Sequence, residues 1–139
     1  MEEVREEVRE VVEGDGYAAG HIDAMGDEYG FRKVRRALGV TAFGVNAIVM
    51  PAGVSAGVHW HDEQEEAYFV HSGHAEFEFG DGSKVLLGPG AVVRVDAQAR
   101  RRMANVGDDD LVVYVVGGKD GYVGRDGHAP EGEERVRQA

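Results

Sequence analysis

Apolar and polar positions alternate along most of this chain. From Thr41 to about Gly117, short apolar or alternating runs recur: TAFGVNAIVM, VHWH, EAYFVH, AEFEF, KVLL, AVVRV, RRMANV and LVVYVV. A period of two marks a strand with one face buried. The runs are separated by Pro51-Ala52-Gly53, Ser72-Gly73, Gly80-Asp81-Gly82, Gly88-Pro89-Gly90 and Gly107-Asp108, which suit tight turns. Many short strands at close spacing predict an all-β sandwich or barrel. Ahead of them, Val4, Val8, Val11 and Val12 fall at helical spacing among charged residues, with Gly14 as a stop, which predicts a short amphipathic N-terminal helix. A glycine-rich stretch from Gly16 to Gly30 reads as an extended lead-in, and FRKVRR as a further strand. The expected organisation is residues 1–30 as helix and lead-in, 31–118 as the barrel, and 119–139 as a polar tail.

At 139 residues with 42% apolar residues, the chain can build one core without staples. It has no cysteine, which excludes disulfides, zinc-thiolate sites and thiol catalysis. The start MEEVREEVREVVEG lacks the basic head and apolar run of a secretion signal, and no stretch reaches the length of a membrane span. A soluble, cytoplasmic protein with no membrane partner is the expectation. The net charge of -11 repels polyanions, so no nucleic-acid partner is expected. The basic clusters Arg32 to Arg36 and Arg100 to Arg102 are read as pairing with nearby acids.

The chemistry begins at Gly53, where the sequence runs GVSAGVHWHDEQEEAYFVHSG. On a strand, His59 and His61 point to one face and Trp60 to the other. Glu66, Tyr68 and Val70 share a face of the next strand, and pairing the two strands brings Glu66 beside the imidazoles. Two His and one carboxylate on one side of an ion are associated with non-haem Fe(II), and Mn, Ni or Zn suit them too.

These residues resemble the first motif of the cupin superfamily: Gly, five residues, His-x-His, three or four residues, Glu, six residues, Gly. Gly53, His59, His61, Glu66 and Gly73 satisfy every position. The second motif is Gly, five residues, Pro-x-Gly, two residues, His, three residues, Asn. Here only Gly90 and Asn105 keep it, with Asp96 at the Pro, Gln98 at the Gly and Arg101 at the His. The resemblance spans roughly residues 40 to 117. It implies a double-stranded β-helix, the cupin jelly-roll barrel, with the site in its mouth. It also implies that residue 101 would be the fourth metal ligand, a role a guanidinium cannot fill.

If Arg101 points inward, Ala99 and Met103 do so too, while Arg100 and Arg102 face out. Two functions then stand side by side. In one, His59, His61 and Glu66 hold a divalent transition metal (Fe, Mn, Ni or Zn) and Arg101 receives a small anionic substrate of a metal-dependent enzyme. In the other, Arg101 pairs with Glu66 and the barrel is a noncatalytic module that binds a small molecule without metal. Tyr68 and Met103 are read as pocket lining, with Arg101 as the third substrate-binding candidate. Gln64 and Glu65 could take the place of Glu66 if the connection shifts. Asn46 interrupts an apolar strand with its facing open. Trp60, Ala67 and Phe69 lie opposite the site and LVVYVV is apolar at both parities, so a homodimer is expected to cover them.

Overall fold

The structure, a computed structural model, describes residues 6–132. Twelve short strands and one short helix follow one another. They are β1 (Val12–Gly14), β2 (Tyr17–Ala19), β3 (Gly30–Arg32), α1 (Val34–Leu38), β4 (Gly44–Met50), β5 (Trp60–His61) and β6 (Glu65–Ser72). After these come β7 (Ala75–Phe79), β8 (Lys84–Leu87), β9 (Val92–Val95), β10 (Arg101–Asn105), β11 (Leu111–Gly118) and β12 (Gly127–His128). A five-stranded antiparallel sheet runs β3-β4-β11-β6-β9, and a three-stranded one runs β10-β7-β8.

The core lies between the two sheets. Tyr68, Val70, Leu111, Val113 and Val115 meet Ala75, Phe77 and Met103 there, with Met50 and Val95 completing the cluster. Alternation accounts for this: along β6, Glu66, Tyr68 and Val70 are buried while Glu65, Phe69 and His71 are exposed. Strand β11 sits in the middle of its sheet, between β4 and β6, so its inner side chains are fully buried and its outer ones half-buried. Two glycines bound the first motif for backbone reasons. Gly53 has φ +79, and Gly73 has φ +86, where a side chain would press on Asp110 O and Leu111 Cα.

The expected N-terminal helix is not formed by the described residues. Residues 6–11 are irregular and Val12–Gly14 is a strand, paired with Tyr17–Ala19 as a small hairpin; Val4 lies outside the described residues. Val8 and Val12 stay exposed and Val11 is only half-buried, so tertiary packing does not supply what a short helix needs. The helix that does form is Val34–Leu38, which begins within the segment read as the strand FRKVRR and runs past its end. Only its first two residues pair, as part of β3, and Gly39 at φ 72 closes the helix in a left-handed cap. The segment after β11 packs back on the barrel: Gly127 pairs with His61 and His128 with Trp60. Among the described residues, no helix is long and apolar enough to cross a membrane.

Candidate metal centre

His59 and Arg101 face each other across a two-way backbone bridge, each N–H donating to the other's carbonyl at 3.0 Å. Residues opposed in this way send their side chains to the same face. His61, two residues on, joins that face, and β6 brings Glu66 to it from the neighbouring sheet. The ligand atoms of His59, His61 and Glu66 all lie within 4.8 Å of one another. His61 Nε2 is 3.2 Å and His59 Nε2 3.7 Å from Glu66 Oε1.

That carboxylate oxygen has two further partners. Tyr68 donates its hydroxyl to it at 2.6 Å, and Arg101 donates Nη2 at 2.7 Å. Glu66 Oε2 is buried without a hydrogen-bond partner. Burial alone would raise the Glu66 carboxyl, but the His59 and His61 rings and the Arg101 guanidinium hold it well below the usual carboxylate range. Burial, with the Glu66 charge, pushes the Tyr68 hydroxyl up, so it stays a donor.

Arg101 is among the most deeply buried large side chains of the described residues. Its Nη1 donates to the carbonyls of Ala97 at 3.0 Å and Ala99 at 2.7 Å, with a longer contact to Asp96 O at 3.4 Å. Both terminal nitrogens are therefore engaged by the protein. Met103 lies inside with it, Ala99 packs against the core, and Arg100 and Arg102 face outward. Arg102 pairs with Glu78 at 2.6 Å and Arg100 stacks over Trp60, as a basic run on a solvated face would.

Behind His61 stands Asp126, which the sequence reading placed in a polar tail. Its Oδ1 accepts from His61 Nδ1 at 2.9 Å and from Gln64 Nε2 at 2.7 Å, while Oδ2 accepts from the backbone N–H groups of Glu63 and Gln64 at 2.8 and 2.9 Å. Burial would raise this carboxyl, yet the four bonds hold it far below its ordinary value. Gln64 is thus buried on the outer side of His61, and Glu65 is exposed and paired with Arg94, so Glu66 keeps the inward position. Nothing in the pattern RDGHAP distinguishes Asp126 from any other acid of an exposed loop; only the tertiary return of the chain does.

A cavity of about 330 Å³ opens beside the cluster. His59, Tyr68 and Arg101 stand at its polar end, and Ile48, Phe77 and Met103 are among the apolar side chains that form the rest.

A cupin-domain family model matches residues 46–117, more than half of the chain. The chain belongs to the cupin domain family. This cupin is similar in fold to a cupin protein from Bacteroides fragilis, with a TM-score of 0.60 at 23% identity, covering 79% of this chain and 91% of that one. It is also similar to the DMSP lyase from Ruegeria pomeroyi, with 28% identity, a TM-score of 0.57, and 66% and 46% of the two chains covered. A putative sugar phosphate isomerase from Acidithiobacillus ferrooxidans matches at 26% identity with a TM-score of 0.56, covering 63% of this cupin and 56% of that chain. This cupin spans less than half the length of the DMSP lyases it matches. No curated protein matches it.

The donor set fits a metal ion. His61 Nε2 faces Glu66 Oε1 at 3.2 Å with Asp126 on the opposite ring nitrogen, and Glu66 Oε2 is buried without a hydrogen-bond partner, so imidazole and carboxylate donors converge as a metal centre needs.

Proposed function

We propose that His59, His61 and Glu66 hold one divalent transition-metal ion, and that the cavity beside them admits a small, largely apolar molecule with one polar group turned toward the ion. The observation that carries this reading is the convergence of both imidazole nitrogens on Glu66 Oε1, at 3.7 and 3.2 Å. Ligand atoms bound at about 2.1 Å to one ion stand about 3.0 to 3.4 Å apart when their angle is near a right or tetrahedral one. Small side-chain adjustments therefore suffice. Once bound, the ion would supply a Lewis-acid or redox centre.

The chain's own residues set the conditions around it. Arg101 balances the charge of Glu66 and locks it in place. Tyr68 fixes the same oxygen from the other side. The apolar lining excludes water and favours a ligand with a hydrocarbon body. An anion held by Arg101 is the weaker reading, since both terminal nitrogens of that guanidinium are already bonded to Glu66 and to main-chain carbonyls. The names DMSP lyase and putative sugar phosphate isomerase among similar chains support a catalytic role for the site.

The test is metal retention. The purified protein, loaded separately with Fe(II), Mn(II), Co(II), Ni(II) or Zn(II) and dialysed, is expected to keep one ion per chain of at least one metal. The His59→Ala/His61→Ala variant is expected to keep none. Failure of the wild-type protein to retain any of them in stoichiometric amount overturns the proposal.

A further inference from the structure

We propose that Asp126 is the positioning residue of the metal centre, presenting His61 to the ion through Nε2 by holding the proton of the opposite ring nitrogen. The inference rests on the metal reading above, and it concerns a residue beyond the stretch 46–117 that the family model covers.

Three features support it. First, Asp126 is committed by its environment. Oδ2 is claimed by two consecutive backbone N–H groups, those of Glu63 and Gln64, so Oδ1 is directed at His61 Nδ1 at 2.9 Å and at Gln64 Nε2, which stands 2.7 Å from Oδ1 and 3.1 Å from the same ring nitrogen. Second, the segment is clamped on both sides of that contact. Asp62 N–H donates to Asp126 O at 3.0 Å, and β12 pairs Gly127 with His61 itself. Third, Arg125 immediately before it has φ 57, a left-handed conformation costly for a residue with a side chain, which the surrounding contacts must offset. A carboxylate on the far nitrogen of a metal-binding histidine fixes the tautomer and raises the basicity of the ligating nitrogen.

The same geometry says what Asp126→Asn does. The Glu63 and Gln64 N–H groups select the amide oxygen, so the amide NH₂ falls where Oδ1 stood, against His61 Nδ1 and the Gln64 side-chain amide. There it donates, and the ring proton moves to Nε2, the wrong tautomer for a ligand.

The experiment measures two quantities on the full-length protein. One is the protonation of the His61 ring nitrogens, from ¹⁵N chemical shifts of metal-free protein. The other is affinity for Co(II) by calorimetry. Wild type is expected to carry a proton on Nδ1. In Asp126→Asn, Nδ1 is expected to lose it, with Co(II) binding weakened about 10- to 100-fold. The control is Asp62→Ala, which removes the exposed Asp62–His128 side-chain contact of the same segment while keeping the Asp62 backbone N–H, and is expected to leave both readings unchanged. An unprotonated Nδ1 in wild type overturns the proposal without any variant. So does unchanged Co(II) affinity in Asp126→Asn, or an equal loss in Asp62→Ala. If wild type binds none of the five metals but Asp126→Asn still moves the His61 proton, the hold of Asp126 on the His61 ring stands and the metal reading falls.

Discussion

Arg101 Nη2 lies 2.7 Å from Glu66 Oε1, with both side chains sealed from solvent. The guanidinium occupies the position from which the family's fourth ligand would come, and it faces His59 across the backbone bridge. The site therefore carries a fixed positive charge against the carboxylate that would hold the ion. Charge balance at Glu66 is shared between Arg101 and the imidazoles.

The pair is expected to behave as a buried ion pair whose halves depend on each other. Arg101→Met removes the fixed charge partner of the buried Glu66 and is expected to lower the unfolding free energy by about 3 kcal/mol. Glu66→Gln, which strands the guanidinium instead, is expected to cost a similar amount. The double variant is expected to lose clearly less than the two single losses combined. Urea titrations check this, and additive losses would mean that the two charges are not coupled.

The apolar cavity makes a separate prediction about ligands. Alkyl hydroxamates of increasing chain length, bound to the Co(II)-loaded protein, are expected to tighten by about fourfold per methylene until the space is filled. Ala56 lines the cavity, and Ala56→Phe is expected to abolish the gain while leaving Co(II) affinity intact. An affinity flat with chain length would show that the cavity does not receive the ligand's body.

Much of the barrel is legible in the sequence because alternation and turn residues act locally. The eight runs read between Thr41 and Val116 correspond to β4 through β11, and the Gly90–Asn105 frame places Arg101 and Met103 inside with Arg102 outside. Asn105 shows why the frame holds: its buried amide donates to the carbonyls of Met50 and Asp109 and accepts from Gly107 N–H, a set that tolerates no shift of register. What the sequence hides is non-local. The helical spacing of Val8, Val11 and Val12 does not lead to burial of Val8 and Val12. Strands β1, β2 and β12 are two or three residues long and carry no periodicity. Asp126 gains its meaning only because the chain returns 65 positions later to His61. Asn46 proves to be buried, with Oδ1 lacking a partner, and no account of it follows from the strand pattern.

A homodimer is expected from the outer face of the larger sheet. Phe69 and Val92 are opposed across β6 and β9, are 41% and 54% exposed, and lie where β9 leaves its other edge unpaired in the sheet. An open edge flanked by apolar side chains is a template for self-pairing. Light scattering is expected to return about twice the chain mass of 15.0 kDa, and Phe69→Glu/Val92→Lys to return the monomer. A monomeric wild type at micromolar concentration contradicts this.

Arg101→His is expected to strengthen the metal centre while weakening the metal-free protein. Removing the guanidinium takes away the partner of Glu66, so the apo variant loses stability as Arg101→Met does. It also removes a positive charge a few ångströms from the ion and puts an imidazole on the face shared with His59, whose β-carbon stands about 5 Å away across the bridge. Co(II) affinity is expected to rise on the order of tenfold or more, and the stabilisation on adding Co(II) to exceed that of wild type, because a ligand that binds only the folded state raises its stability in proportion to affinity. Arg100→His and Arg102→His point outward and are expected to change neither quantity. A rise in affinity in either of these, with none in Arg101→His, would place the fourth-ligand position on the wrong residue.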